Sequence, residues 1–402
     1  MSGGLRELWG RLLGNLFTTL GILLGGMQVV VGHWVTVVVA GREGPGLALG
    51  LVLAALLVVA NWLLLPVLRR ARHADGWPRR VARLYMSAGL ATLLLGSAVL
   101  LSWAGFLPLQ GLLSLIGVDP ETSFAAFRVA SGAVVATLAA LLVWGFTGGQ
   151  ARVERTHVRV ALPGLADDLR GLRIVQISDL HIGNGLEGRR LERLVERVNG
   201  LEADLVALTG DLFDFDPRHV EEGARRLGGL RARLGVFTVL GNHDRYTGVE
   251  LVADALGRLA PEMVLLRRDL VRLATPAPLY LAGIDDPATR FTDRDLHVPE
   301  LEELAARAPE DGPVILLVHR PEAFPHAARL GFPLVLAGHT HGGQLALPIR
   351  GGRHNLASLV TRYARGLYAE NGSILYVNRG IGVAGPAIRI HCAREIATIE
   401  LV

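Results

Sequence analysis

The chain has 402 residues, of which 50% are hydrophobic and only 19% are charged, and its mean hydropathy is +0.38. This composition excludes a disordered, collagen-like or coiled-coil protein, and it disfavours a wholly soluble one, since soluble domains average about 25% charged residues. Residues 1–149 hold ten arginines and five acidic residues, whereas residues 150–402 hold 31 arginines and 32 acidic residues; lysine is absent. The second region lacks the basic excess that nucleic-acid binding requires, so we expect no nucleic-acid partner. The single cysteine, Cys392, excludes an internal disulfide and a cysteine-based metal site.

Four long apolar runs lie between charged residues in the first region, at 12–41, 44–68, 84–118 and 129–151. A bilayer core requires about 20 apolar residues in a helix. We therefore predict a four-helix transmembrane domain over residues 1–149, with spans at about 14–40, 46–68, 84–107 and 129–148. Because proline disrupts helical hydrogen bonding, we expect Pro108 to end the third helix and residues 109–118 to form an interfacial loop.

The arginines between the second and third runs predict the orientation. Six of them lie between residues 69 and 83, and basic loops of membrane proteins stay in the cytoplasm. If all four runs cross, the N-terminus and the region after the fourth span lie on that same side. We therefore expect a multi-pass cell-membrane protein whose second region is cytoplasmic.

The second region shows the pattern of an α/β domain, with a linker and first strand over 150–171 and the domain proper over 172–402. Short apolar runs alternate with stretches of helical period, which predicts sheets covered by helices. The predicted strands are 172–178, 204–209, 235–240, 279–284, 313–318, 333–337, 374–378 and 396–401. The predicted helices are 187–199, 217–233, 247–259, 299–308 and 321–330.

Polar residues follow five of these strands, where the carboxyl ends of strands in an α/β sheet form the ligand crevice. They are Asp179 and His181, Asp211 and Asp214, Asn242 and His243, His319, and His339 and His341. Imidazole nitrogen and carboxylate oxygen together bind borderline divalent ions, and burying so many polar groups without a ligand is costly.

The spacing of these residues indicates two ions. Asp179 and His181 stand two apart, as do His339 and His341, and in extended backbone such pairs point to one face. A carboxylate between the pairs, such as Asp211, can bridge two ions about 3.5–4 Å apart, which together hold the attacking and leaving oxygens at phosphorus.

The order Asp-x-His, Gly-Asp-x-x-Asp, Gly-Asn-His-Asp, His and Gly-His-x-His resembles that of the calcineurin-like metallophosphoesterase superfamily. The resemblance covers about residues 172–344, and the tail from Tyr376 through Arg379, Arg389 and Glu395 is similar to the bacterial membrane-associated phosphodiesterase branch. It implies two mixed β-sheets packed face to face and flanked by helices, with the site at one edge.

The resemblance also implies roles for the site residues. Asp179, His181, Asp211 and His341 would hold a first divalent ion, and Asp211, Asn242, His319 and His339 a second, with Mn, Fe, Zn or Co as possible metals. A hydroxide between the ions would attack phosphorus in line. His243 would protonate the departing oxygen and Asp214 would orient His243; the alternative for Asp214 is the N-cap of helix 217–233.

Two departures from the superfamily pattern narrow the class. Protein Ser/Thr phosphatases carry Arg and Glu where this chain has Phe215 and Asp244, so a protein phosphatase is disfavoured. The fourth motif reads His-Arg-Pro where related sequences often have His-Asn-Pro. Arg320 is then either a surface residue or a contact to a substrate phosphate. Further arginines that are either substrate contacts or structural are Arg245, Arg365 and Arg379.

Together these features predict a membrane-anchored dinuclear-metal phosphoesterase. We expect it to hydrolyse a phosphodiester or pyrophosphate bond in a lipid-linked or nucleotide-linked substrate, with the lipid bilayer as its second partner. The alternative is a membrane sensor or transporter whose soluble domain only binds a phosphorylated ligand. That alternative predicts degraded metal ligands or charged spans, and the sequence has neither.

Overall fold

The computed structural model describes residues 16–44, 46–71, 74, 76–287 and 297–402. The chain forms two compact units, Met1–Trp144, here called the membrane unit, and Gly145–Val402, here called the α/β unit. The helices of the membrane unit are α1 (Leu16–Trp34), α2 (Leu47–Ala71), α3 (Trp77–Leu115) and α4 (Pro120–Trp144). Positions 14 and 15 of the predicted first span, and Arg72 in the arginine-rich loop, lie outside the described residues.

All four helices are long and apolar enough to cross a membrane, over Thr19–Val39, Ala48–Leu68, Trp77–Leu115 and Pro120–Gly149. Their outer surfaces carry large apolar side chains such as Leu101 and Val129, which are 73% and 76% exposed. Such a surface is unfavourable in water and favourable in lipid. It is the surface that the four predicted spans require.

Two helix boundaries differ from the prediction. Pro108 lies inside α3, which continues through most of the expected 109–118 loop to Leu115. The proline removes one backbone hydrogen bond, but an apolar environment offers the remaining backbone groups no water, so helix stays the best conformation. Helix α4 begins at Pro120 rather than near 129, because Asp119 Oδ2 accepts a hydrogen bond from Thr122 N at 2.9 Å and caps the helix.

The α/β unit contains twelve strands among its described residues. They are β1 (Val153–Val160), β2 (Arg173–Ile177), β3 (Leu205–Thr209), β4 (Val236–Val239), β5 (Met263–Leu265), β6 (Asp269–Arg272), β7 (Tyr280–Gly283), β8 (Val314–Leu317), β9 (Leu334–Ala337), β10 (Gly366–Glu370), β11 (Ser373–Val377) and β12 (Arg394–Leu401). The helices are α5 (Arg189–Asn199), α6 (Val220–Leu227), α7 (Asn242–Leu259), α8 (Val298–Ala306) and α9 (Phe324–Arg329).

The strands form two six-stranded mixed sheets, in the orders β1-β12-β2-β3-β4-β5 and β10-β11-β9-β8-β7-β6. Ile174 and Leu205 of the first sheet share one buried apolar cluster with Ile315 and Leu334 of the second, so the sheets pack face to face. Apolar residues of α5, α6 and α7 cover the first sheet, and those of α8 and α9 cover the second. This confirms the predicted fold class.

Several elements differ in extent from the prediction. The helix expected at 217–233 is a 3₁₀ turn, Pro217–His219, followed by α6, and Gly228 ends it. Strands β5, β6 and β10 were not predicted, because they are only three to five residues long and partly exposed. Parallel strands β2, β3 and β4 and parallel strands β7, β8 and β9 deliver their carboxyl ends to the site.

Candidate metal centre

The five polar strand ends meet in one buried cluster. Three groups each place their ligand atoms within 4.8 Å of one another: Asp179–His181–His341, His181–Asp211–His243 and Asp211–His319–His339. Asp179, His181 and His319 are completely buried. The structure therefore brings together the predicted aspartate and histidine ligands from β2, β3, β8 and β9.

The backbone directs these side chains differently from the sequence expectation. Asp179 and His181 have φ values of +50° and +47°, and His339 and His341 have values of +71° and +50°, so neither pair is extended. Asp211, at +52°, is also left-handed. Such conformations cost of order 1–3 kcal/mol each in non-glycine residues and cluster at functional sites. Here they aim the side chains of a pair at different neighbours.

One side of the cluster is built from Asp179, His181 and His341. The Nε2 atoms of the two histidines lie 3.0 Å apart, and His341 Nε2 is 3.4 Å from Asp179 Oδ1. Asp179 is fixed by the backbone N–H of His339, which lies 3.0 Å from each carboxylate oxygen. Two ring nitrogens and a carboxylate oxygen thus point at one small volume.

The other side is built from His319, His339 and Asn242. His319 Nδ1 donates to Thr209 O at 2.8 Å, which directs Nε2 into the cluster, 3.0 Å from His339 Nδ1. Asn242 begins α7, and its Oδ1 is buried without a hydrogen-bond partner among the described residues. A buried amide oxygen in that state needs a donor or a cation.

Asp211 joins the two sides. Its Oδ1 accepts from the backbone N–H of His243 at 2.8 Å, and its Oδ2 lies 3.5 Å from His181 Nε2 and 3.3 Å from His319 Nε2. One carboxylate oxygen therefore faces both groups of imidazoles. This is the placement that a bridging ligand requires.

Electrostatics also favour cations in this cluster. Burial lowers the pKa of His339 and His341, and the adjacent His319 and His181 lower it further, so both rings are in the neutral form that binds metal. Burial alone would lower the pKa of His319, but Asp211 raises it to about 10. Without bound ions, the carboxylates stabilise the protonated form of a neighbouring histidine such as His319. The donor set therefore fits divalent metal.

His243 lies beside this cluster and is tied to Asp214. Its Nδ1 donates to Asp214 Oδ1 at 2.9 Å, and His181 Nδ1 donates to the same oxygen at 3.2 Å. Burial raises the pKa of Asp214, but these two hydrogen bonds outweigh it and hold the pKa well below its ordinary value. Asp216 accepts from Arg218 N and caps the 3₁₀ turn Pro217–His219, and His219 precedes α6, so Asp214 does not have the alternative role of N-cap.

Comparison with known proteins agrees with this geometry. The family model of calcineurin-like phosphoesterases matches residues 172–343. A Campylobacter jejuni metallophosphoesterase is 30% identical over 292 residues, which cover 72% of this chain and 74% of that protein. The chain belongs to the calcineurin-like metallophosphoesterase family.

Two vertebrate members of the family are described as transmembrane proteins with a metallophosphoesterase domain. The Danio rerio protein is 34% identical over 287 residues, 68% of this chain and 64% of its own length. The Bos taurus protein is 31% identical over 301 residues, 71% of this chain and 65% of its own length. The chain thus spans slightly less than two thirds of these two relatives. Their description and the four apolar helices together indicate a membrane protein.

The arginines considered as substrate contacts of this metallophosphoesterase have acceptors in the protein. Arg320 is buried and donates to both oxygens of Asp286, at 2.6 and 3.2 Å, so it is not a surface residue. Arg379 pairs with Glu154 and Glu395, at 2.8 and 3.0 Å. Arg245 Nε donates to Asp286 O at 2.7 Å. Contact of any of them with substrate stays a prediction.

Two further residues organise the site and had no assigned role in the sequence. Asp244 accepts from the backbone N–H groups of Gly241, Leu212 and Phe213, at 2.8, 3.2 and 2.9 Å, and so holds the loops after β3 and β4 together. Arg389 is fully buried, and its guanidinium donates to Gly382 O at 2.7 Å and lies 3.5 Å from His341 Nδ1. The Gly-Asn-His-Asp motif includes Asp244, and the tail that resembles the membrane-associated branch includes Arg389, but neither pattern indicated these contacts.

Proposed function

We propose that this metallophosphoesterase holds two divalent ions and hydrolyses a phosphodiester or pyrophosphate bond in a lipid-linked or nucleotide-linked substrate. The observation that carries the proposal is Asp211 Oδ2, which faces His181 on one side and His319 on the other at 3.5 and 3.3 Å. The ligands proposed for the first ion are Asp179, His181, Asp211 and His341, and those for the second are Asp211, Asn242, His319 and His339.

The chemistry is a hydrolysis in which water gives its oxygen to phosphorus and the bond from phosphorus to the leaving oxygen breaks. When bound, a pair of divalent ions supplies Lewis acidity to the phosphoryl oxygens and lowers the pKa of the attacking water. Asp211 keeps the two groups of ligands at a fixed separation. Asp179 is held in place by the His339 N–H, so the ligand shell is preorganised before substrate arrives.

His243 is the proposed donor of the proton that the leaving oxygen takes. Asp214, with its lowered pKa, is ionised at neutral pH and can only accept, so His243 carries its Nδ1 proton toward Asp214. This fixes the ring orientation and leaves Nε2 as the nitrogen available to the substrate. A carboxylate behind an imidazole also stabilises its protonated form, as general acid catalysis requires.

An apolar surface beside His243 suits a substrate with an organic group on each side of phosphorus. The Phe215 ring lies edge-on to His243 at 4.4 Å, and Tyr246 stacks on Phe215 at 5.4 Å. No charge from these two rings meets the leaving group, which favours a diester over a phosphomonoester dianion. This supports the diester assignment and agrees with the sequence features that disfavour a protein phosphatase.

The test is hydrolysis of bis(p-nitrophenyl) phosphate by the full chain with Mn²⁺ or Zn²⁺. Asp211→Asn should lower kcat by about a thousandfold, since the two ions contribute several kcal/mol and each 1.4 kcal/mol is tenfold. The matched control is Asp254→Asn, an exposed aspartate of α7 that pairs only with Arg258 among the described ion pairs, and it should keep full activity. Retained activity in Asp211→Asn would contradict the proposal.

We also propose that the α/β unit lies on the cytoplasmic side, because the arginine-rich loop between α2 and α3 is of the kind that stays in the cytoplasm. A reporter protein fused after Val402 measures this directly. Activity of a reporter that functions only in the cytoplasm is the expected result. Activity of one that functions only outside the cytoplasm would show that one candidate span does not cross.

A further inference from the structure

Exposed aliphatic side chains are concentrated in one short segment of the α/β unit. Nine large hydrophobic side chains are exposed among the described residues of this unit, and five of them lie between 347 and 360. These five are Leu347, Ile349, Leu356, Leu359 and Val360, with exposures from 51% to 80%. Apolar side chains in such density on one surface are unfavourable in water and mark a contact.

Backbone hydrogen bonds hold this segment in a defined shape. Leu347 N donates to His354 O at 2.8 Å and Leu356 N donates to Leu345 O at 3.2 Å, which closes the segment into a hairpin. Ser358 Oγ donates to Asn355 O at 2.6 Å and fixes the following turn. The aliphatic side chains are therefore presented outward by an ordered loop.

The charge of the same segment is entirely positive. Residues 345–365 contain four arginines and no acidic residue, whereas the region 150–402 as a whole has one acidic residue more than its arginines. The four are Arg350, Arg353, Arg362 and Arg365. Aliphatic side chains combined with arginine, without acids, are typical of surfaces that enter the headgroup layer of anionic membranes. We call residues 345–365 the basic–apolar loop.

Backbone hydrogen bonds connect the basic–apolar loop to Gly145, the first residue of the α/β unit. Ala346 N donates to Ile390 O at 2.9 Å, and the next residue back, Arg389, donates its backbone N–H to Gly145 O at 3.1 Å. A Cβ on Gly145 would lie only 2.6 Å from the Ile390 side chain. Gly145 itself lies within the candidate span Pro120–Gly149. The start of the loop is thus connected, through Ile390 and Arg389, to the first residue of the α/β unit.

The same residues connect the loop to the metal centre. The loop follows directly after His341 and the two glycines beside it, and a Cβ on Gly342 would meet Arg379 and Arg365 at 3.0 and 3.3 Å. Arg353 and Arg365 line a cavity of about 670 Å³ at the base of the loop. Among the described ion pairs neither of them has a carboxylate partner; Arg365 donates to the backbone carbonyls of His391 and Gly351.

We propose that the basic–apolar loop docks on the bilayer that anchors the chain, with its aliphatic side chains among the lipid headgroups and its arginines on their phosphates. The metal centre, a few residues away, then takes its substrate from that bilayer, and the substrate class is a phosphorylated lipid. Docking stands on the loop alone; the identity of the substrate rests on the proposed phosphoesterase function.

Depth-dependent fluorescence quenching tests the docking without requiring turnover. In the Cys392→Ser full chain, reconstituted in vesicles with about one fifth anionic phospholipid, Leu359→Cys carries an environment-sensitive dye. The matched control is Leu251→Cys, an exposed aliphatic position on α7. Lipids spin-labelled near the headgroup should quench the dye at 359 strongly and leave the dye at 251 at the quenching of free solution. Equal quenching at both positions, or disulfide cross-linking of two copies through 359, would overturn the docking.

A comparison of the hydrolysis rates of a lipid substrate and a soluble substrate tests the substrate class. In the same vesicles, Leu359→Asp together with Val360→Asp should lower hydrolysis of a phosphodiester lipid more than about tenfold, since burying one leucine contributes 1.5–3 kcal/mol and 1.4 kcal/mol is tenfold. Hydrolysis of bis(p-nitrophenyl) phosphate by the same sample should fall far less, and Leu251→Asp should alter neither. An equal fall on both substrates, or an unchanged lipid rate, would contradict the lipid assignment. If the chain without the aspartate substitutions hydrolyses neither substrate while the dye at position 359 is still quenched, the phosphoesterase function is refuted but the docking is not.

Discussion

Two of the polar clusters among the described residues of the α/β unit differ in whether their charges and hydrogen bonds are balanced within the protein. The first is the metal cluster formed by Asp179, His181, Asp211, Asn242, His319, His339 and His341. The second, here called the Arg379 cluster, is formed by Thr156, Tyr376, Arg379 and Glu395. In the Arg379 cluster, Glu395 accepts hydrogen bonds from Tyr376 Oη at 2.8 Å, from Thr156 Oγ1 at 2.5 Å and from Arg379 Nη2 at 3.0 Å. Every strong acceptor there has a donor.

The metal cluster lacks that internal balance. Imidazole nitrogens face each other at 3.0 Å in two places, and Asn242 Oδ1 is buried with no partner among the described residues. Five of its residues also hold left-handed backbone. The comparison shows that burial and charge alone do not identify a binding site. What distinguishes the metal cluster is that lone pairs of its imidazole nitrogens and amide oxygen are left for a cation.

Removal of metal should separate the two clusters most strongly. Dialysis against a chelator is expected to abolish phosphodiester hydrolysis, and Mn²⁺ or Zn²⁺ should restore it. Calorimetry should show a higher Tm with metal, because ligand at a hundred times its Kd adds about 2.7 kcal/mol to the free energy of unfolding. The Asp211→Asn variant should show no such shift. An identical Tm with and without metal in wild type would contradict metal binding by this cluster.

Disruption of the Arg379 cluster should lower stability and leave the chemistry intact. Glu395→Gln removes one of the two carboxylates that pair with Arg379, and loss of such a charge-assisted hydrogen bond costs about 1.5–3 kcal/mol of unfolding free energy. The matched control is Glu400→Gln in the same strand, β12, where the ion pairs with His157 and Arg159 are partly exposed and contribute less than about 1 kcal/mol. Denaturant unfolding of the full chain measures both, and kcat at a temperature where both variants are folded should match wild type.

The ion pair between Glu395 and Arg379 also predicts that the free energy of unfolding depends on pH. Burial raises the pKa of Glu395, but Arg379 outweighs it and lowers the pKa below its ordinary value. A carboxyl group with a lowered folded pKa contributes stability above its unfolded pKa of about 4.3, and this contribution is lost as the pH falls through the lower folded value. The stability gap between wild type and Glu395→Gln should therefore be constant near neutral pH and close below about pH 4. A gap that widened on acidification would contradict the ionised pair.

A smaller effect on activity is expected when Asp214, which orients His243, is changed. Asp214→Asn removes the carboxylate that accepts from His243 and His181, and loss of such a supporting residue typically costs about 10- to 100-fold in activity. Asp216→Asn is the matched control, since Asp216 lies two residues away and holds only Arg218 and the turn that precedes α6. Equal kcat values for the two variants would remove Asp214 from the proposed catalytic group. A lowered kcat in Asp214→Asn alone would support it.

The sequence predicted the locations of the ligands better than their conformations. Polar residues after parallel strands meet because the carboxyl ends of those strands coincide, and this rule placed Asp211 and His319 correctly in one cluster. The assumption of extended backbone at Asp179 and His181 was wrong, because hydrogen bonds from Asp179 N to Gly210 O and from His181 N to Asp211 O bend the chain after β2. Those bonds join residues far apart in sequence, and no local pattern predicts them.

Arginine roles were the least predictable feature. Arg320 and Arg379 stand beside family motifs and suggested substrate contacts, yet the partners Asp286 and Glu154 come from distant segments. Arg389 has backbone carbonyls and His341 as its neighbours, and its importance depends on complete burial. The prediction that Pro108 ends α3 was wrong for a related reason, since the free-energy cost of a proline inside a helix depends on whether water or lipid surrounds it.

Metal content tests the central proposal most directly. The full chain, purified without chelator and measured by inductively coupled plasma mass spectrometry, should contain about two equivalents of divalent metal per chain, the number that a dinuclear site requires. His319→Ala should retain the ion held by Asp179, His181 and His341 and lose the other. Wild-type protein that remains at one equivalent or none after incubation with excess Mn²⁺ or Zn²⁺ would contradict the dinuclear centre.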